Sequence, residues 1–174
     1  MQQKFLVFLF LLFFMNTGIF AQSKDKPILP KDSLYLENVK KSRLYGVYIP
    51  RDIDDAMLKL MELTDENARK PLMTLDEATM AKKLYFGLGR WMEYNWNFEE
   101  GSRLSHYLRI KGLLYTEDMT RFMLVTFHRF INKKPLKSEE LISQFIAERK
   151  KKTKEEHEKM KVLQIEKKII PKND

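Results

Sequence analysis

From Met119 to Ile131 the large apolar side chains fall at Met119, Phe122, Met123, Phe127, Phe130 and Ile131. That three-to-four spacing puts them on one face of an α-helix. A stripe so wide has to be covered by other elements, because a helix cannot bury its own face. What can cover it is narrowed by the rest of the chain. No segment alternates strictly between apolar and polar residues, and no hairpin dipeptide such as Asn-Gly occurs, so the partners are expected to be helices too. Thr116 is the expected cap of this helix, with Glu117 and Asp118 in a first turn where the macrodipole favours acids. Asn132 and Pro135 close it.

Four further segments carry helical signals. Asp52 caps a stripe of Ile53, Ala56, Met57, Leu60 and Met61, which ends at Thr64-Asp65-Glu66-Asn67 ahead of Pro71. Thr74 and Glu77 have the spacing of a capping box, and the helix they open is expected to reach about Asn95. Its stripe is Met80, Ala81, Leu84, Leu88, Trp91 and Met92, and a second set (Tyr85, Phe86, Tyr94, Trp96) covers another side, the pattern of a central, buried helix. Gly87, on the stripe, is the expected point of close helix approach, and Gly89 serves the same end or marks a kink. Ser102 caps a short helix with Leu104, Tyr107 and Leu108 inward and Gly112 at the C′ position. Ser138 caps a last helix docked through Leu141, Ile142, Phe145 and Ile146. No period of 20–50 residues repeats. The expectation is an all-α fold, a compact bundle of about five helices over residues 46–147, with a charged C-terminal extension that is helical or disordered.

Outside that block the chain changes character. Lys4 precedes an unbroken apolar run from Phe5 to Met15, and Ala21 offers a small residue at a cleavage point, the layout of a signal peptide over residues 1–21. The run is too short for a transmembrane helix. Residues 22–45, with Pro27 and Pro30 and no sustained period, are read as a linker. An exported protein, periplasmic or secreted, with no transmembrane helix in its mature chain is expected.

The sequence has 32 Lys+Arg against 24 Asp+Glu, a formal charge of +8. Ten basic and six acidic residues lie between Glu148 and Asp174, so half of the excess is carried by this tail. A nucleic-acid reader concentrates positive charge on its folded domain, so nucleic acid is not the expected partner. Between Ala147 and Met160 there is no apolar residue, which suits a solvated extension or electrostatic contact with an anionic surface. Chemistry is marked mainly by absences. There is no cysteine, hence no disulfide, thiolate ligand or cysteine nucleophile, and core packing alone must hold an exported domain. His106, His128 and His157 have no metal-ligand spacing, and no cofactor fingerprint is present. Ser105 and His106 are adjacent on a helix and point about 100° apart, so they do not pair as nucleophile and base. The one carboxylate group of interest is Glu93, Glu99 and Glu100, beside Trp91, Tyr94, Trp96 and Phe98. Glycosidases use paired carboxylates near aromatic sugar platforms.

The run Phe86-Gly87-Leu88-Gly89-Arg90-Trp91, then Asn95-Trp96, then Gly101-Ser102-Arg103-Leu104-Ser105 resembles a bacterial domain family of unknown function with an F-G-L-G-x-W-x-x-x-N-W pattern followed by G-S-R-L-S. The resemblance continues through Asp118-Met119 and His128-Arg129 and covers about residues 46–137. Where members often have Gly and Trp after the second Trp, this chain has Phe98 and Glu99. The resemblance implies a domain boundary and no activity. Within it, Trp91, Tyr94, Asn95, Trp96, Gly101, Ser102, Arg103 and Leu104 gather at one helix–loop–helix junction. Each has a local structural job available to it: Trp packing, Asn closing a helix, Ser capping the next, Arg satisfying carbonyls. The same residue types also dominate interface hot spots. A non-enzymatic binding module of the bacterial envelope, with an unidentified protein or envelope component as partner, is the reading that follows; the alternative is an envelope glycan hydrolase using Glu93, Glu99 and Glu100.

Overall fold

The computed structural model describes residues 32–169, with side chains to residue 162. The expected signal peptide, the first part of the linker and the chain end lie outside the described residues. The fold is all-α, in more pieces than the stripes suggested. In order come α1 (Ser33–Asn38), β1 (Arg43–Leu44), β2 (Val47–Tyr48), α2 (Ile53–Leu63), α3 (Glu66–Met73) and α4 (Glu77–Leu84). A π-helical turn (Tyr85–Gly89), α5 (Arg90–Asn95), α6 (Arg103–Ile110), α7 (Thr116–Ile131) and α8 (Ser138–Ile169) follow.

The helix that forms the centre is α7, not the 74–95 helix. Every residue from Asp118 to His128 except Arg121 is buried in it. The all-round apolar pattern of residues 80–96 had pointed to the other helix, but Phe86 and Tyr94 of its second set are 80% and 85% exposed. Around α7 pack α2 (Ile53, Ala56, Met57, Leu60), α4 (Met80, Ala81), α5 with its following turn (Met92, Trp96, Phe98), α6 (Leu104, Leu108) and the first turns of α8 (Leu141, Ile142, Phe145).

The caps explain where the pieces start. Asp52 accepts the Asp55 N–H at 2.9 Å and opens α2 as expected. The chain stops at Thr64 and restarts at once, because Asp65 accepts the Asn67 N–H and caps α3. Arg69, one turn into α3, donates to the carbonyls of Met61 and Thr64 and so closes the end of α2. Pro71 is tolerated inside α3, where it removes one helical N–H. The cap of α4 is Asp76, accepting from the Thr79 N–H at 2.9 Å, so Thr74 and Glu77 do not form the expected box; Thr74 instead donates to the Pro71 carbonyl. A true box occurs at α6, where Ser102 and Ser105 exchange hydrogen bonds. At its other end Gly112 has φ +105°, and the Gly112 and Leu113 N–H groups bond the Arg109 and Leu108 carbonyls, a Schellman closure. Thr116 is the first residue inside α7; Tyr115 holds the cap position with no side-chain bond.

Two elements lie within the stretch read as a linker. Tyr45 and Gly46, both with positive φ (49° and 83°), turn β1 back on β2, as two-residue hairpin turns require. Helix α1 is fixed by Tyr35, which is buried against Gly101 and whose hydroxyl lies 2.8 Å from His106 Nδ1. The tail continues α8 as one helix to Ile169, so the extension is helical over its described part. Among the described residues no helix is long and apolar enough to cross a membrane.

Candidate functional site

The π turn is the local peculiarity from which the site is built. Gly89 lies against α7: a Cβ there would sit 2.9 Å from Thr120 Cγ2. Gly87 faces open space, so Gly89 and not Gly87 marks the close approach. A π turn inserts one extra residue into a helix and re-aims everything after it. Downstream of it, Trp91 and Met92 turn inward, and Tyr94 points to solvent.

Glu93 ends up only 10% exposed. Its Oε2 pairs with Arg90, and its Oε1 lies 2.9 Å from Thr120 Oγ1 and 3.3 Å from the Tyr85 hydroxyl. The Thr120 hydroxyl is also 2.9 Å from the Thr116 carbonyl, so its one proton serves one of the two acceptors at a time. Burial, and then the neighbouring Glu93 carboxylate, push the Tyr85 phenol above its ordinary value, which keeps Tyr85 a neutral donor. Every contact of Glu93 is thus with a hydrogen-bond donor.

The turn after α5 is held from inside. Trp96 and Phe98 have no exposed surface, and Trp91 packs edge-on to Trp96 at 5.8 Å between ring centroids. Asn97, at φ +50°, donates through Nδ2 to the Gly101 carbonyl, and Asn95 donates to the Trp91 carbonyl. Gly101 has φ +105°, and a Cβ on it would run into the Tyr35 ring. Arg103 donates to the Ile49 carbonyl at 2.7 Å and stacks over Tyr48 at 5.0 Å, with Asp55 3.9 Å away. Ser102 and Leu104 are fully buried. The eight residues expected at the junction therefore do gather there. Trp96, Ser102 and Leu104 present no surface, Gly101 is buried, and Arg103 reaches inward. Tyr94 and Asn95 are left to meet solvent on one side of a cleft.

That cleft measures about 880 Å³. The hairpin forms one wall with Leu44, Tyr45 and Val47, and the other carries Glu93, Tyr94, Asn95, Glu99 and Glu100. The three carboxylates singled out from sequence share this space. Tyr45, 81% exposed, is the site residue that sequence reasoning missed, because it falls in the stretch read as a linker. The one signal available was Tyr-Gly between Leu44 and Val47. Of the three histidines, two have structural partners. His128 is buried with Nε2 2.9 Å from the Leu75 carbonyl, His106 tethers Tyr35, and His157 is exposed on α8. Among the described residues no three His, Asp, Glu or Cys side chains are grouped to hold a metal ion.

Residues 49–131 match the model of a domain of unknown function, DUF6794. The DUF6794 match begins just after the hairpin and ends with the last residue of α7. It includes the α5 wall of the cleft and leaves out Tyr45, α1 and α8. No curated protein and no solved structure matches the chain.

Proposed function

We propose that the chain is an exported, non-enzymatic binding module of the bacterial envelope, and that it takes its partner in the cleft between the hairpin and the α5 turn. The observation that carries this reading is a pair of exposed tyrosines, one from the hairpin turn and one from α5, that line the same cleft. Tyr45 and Tyr94 are 81% and 85% exposed and line one cleft. Exposed aromatic side chains on rigid elements supply contact area at small entropic cost, and Tyr is enriched at interface hot spots. The rigidity comes from beneath: Trp96, Phe98 and the Gly101–Tyr35 contact hold one wall, and the hairpin turn, with Arg43 donating to the Gly46 carbonyl, holds the other. Glu99 and Glu100 make the rim acidic, which suits a partner that presents a basic or hydroxyl-rich surface. Export is supported by the apolar run from Phe5 to Met15 and the small Ala21. The test of export is N-terminal sequencing of the protein recovered from the cell envelope. A chain beginning at Gln22 is expected; an uncleaved chain in the cytosol overturns this part. The test of the cleft is binding of the envelope partner by Tyr45→Ala and Tyr94→Ala, each expected to weaken capture at least tenfold.

One observation favours a second reading, a glycan hydrolase: Glu93, Glu99 and Glu100 line the same cleft as Tyr94. Release of reducing ends from envelope glycan, abolished by Glu93→Gln, Glu99→Gln or Glu100→Gln, would select it.

A further inference from the structure

A second concavity, of about 500 Å³, lies where the turn between α6 and α7 meets α8. Its volume falls in the roughly 300–1,000 Å³ range of small-ligand sites. Its two walls differ in chemistry. One is the Leu113–Tyr115 segment, on which Leu114 and Tyr115 are 40% and 51% exposed, with Ile146 of α8 alongside. Such grouped exposed apolar side chains call for a partner. The other wall is the next stretch of α8, where Lys150, Thr153, Lys154 and His157 follow at the spacing of one helix face.

The balance of charge between these walls is positive. The acid at the base, Asp118, is held by Arg149, which also pairs with Glu117 and lies over the Tyr115 ring at 4.6 Å. Those charges satisfy one another. Lys150 has no acidic partner among the described residues, and Lys154 reaches only Glu158, at 3.9 Å with both side chains mostly exposed, a weak contact. The apolar side chains thus share the concavity with Lys150, which has no ion-pair partner among the described residues, and with Lys154, whose one pairing is weak.

We propose that this groove binds an amphipathic anion: an alkyl chain lies against Leu114, Tyr115 and Ile146, and its anionic head group lies between Lys150 and Lys154. A fatty acid in solution and an anionic lipid in a bilayer share this chemistry. The site is separate from the Tyr45–Tyr94 cleft, so it stands or falls independently of the binding reading given there.

The experiment is calorimetric titration of the full chain with monomeric dodecanoate, dodecyltrimethylammonium and dodecyl maltoside, each below its micellar concentration. Saturable one-to-one binding of dodecanoate is expected, at least tenfold tighter than either of the others. Lys150→Ser with Lys154→Ser should weaken dodecanoate at least tenfold. Leu114→Ser should weaken all three ligands. All three side chains are exposed, so helix content by circular dichroism should not change; should the double variant unfold, weakening of wild-type binding by salt is the substitute readout for the head-group contact. Co-sedimentation with phosphatidylglycerol vesicles separates the two sources: vesicle binding in addition to dodecanoate binding extends the site to membrane lipid. Equal affinity for anion and cation, unsaturable binding, an unaffected double variant, or vesicle association without monomer binding would each overturn the proposal.

Discussion

Gly101 joins three facts at one residue: φ is +105°, its carbonyl accepts from Asn97, and the hydrogen where a Cβ would stand faces the Tyr35 ring. Gly101→Ala must strain the backbone and displace Tyr35, so a loss of at least about 2 kcal/mol is expected in chemical denaturation. The same variant should free α1, seen as faster proteolysis at Lys40 and Lys41. Ser102 shows the contrasting case of a purely local role. Its hydroxyl accepts the Ser105 N–H at 3.2 Å, and Ser102→Ala should cost about 1 kcal/mol without loosening α1. The Ser102 role could be read locally, because its partner stands only three positions further on. The need for glycine at 101 could not, because it is set by a tyrosine 66 positions earlier in the chain.

At the scale of elements, what the sequence disclosed follows the range of the forces involved. The stripe of α7 and the Gly112 closure of α6 depend on spacing alone, and both stand as read. The π turn depends on how near Gly89 comes to Thr120 and Leu124, which no local pattern records. The cap at Asp76 was hidden by a better-looking Thr74–Glu77 pattern, whose glutamate is engaged elsewhere. Arg129 binds Glu77 through two hydrogen bonds of 2.9 Å, tying α4 to α7. Those hydrogen bonds hold the Glu77 carboxyl below its ordinary value of 4.5, and Arg149 does the same for Glu117. A carboxylate with a lowered folded value stabilises the fold at pH above the unfolded value and loses that contribution as pH falls through the folded one. Stability should therefore decline from about pH 4.5 downward. Glu77→Gln combined with Glu117→Gln should flatten this acid limb in denaturant titrations at pH 3–7.

For the whole molecule, α8 divides into a docked part and a free part, and the division is not where the charge run begins. Arg149 lies two residues into that run, yet it is mostly buried and grips Asp118, itself 6% exposed at the side chain. From Lys151 to Val162 every residue is exposed. A chain ending at residue 154 should melt with the full chain. One ending at residue 147 leaves Asp118 buried without its cation and should lose about 3–5 kcal/mol, measured by denaturant unfolding. The proposed binding cleft likewise crosses a boundary, since the DUF6794 match supplies Tyr94 and the hairpin outside it supplies Tyr45. The central claim is that these two tyrosines form one gripping surface, and site-specific photo-crosslinking in intact cells tests it most directly. A benzophenone side chain at position 94 or at position 45 should yield the same envelope adduct, with Tyr45→Ala suppressing the adduct formed from 94 and a probe at exposed Lys83 yielding none. Different adducts from 94 and 45, or none above the level at Lys83, would contradict it.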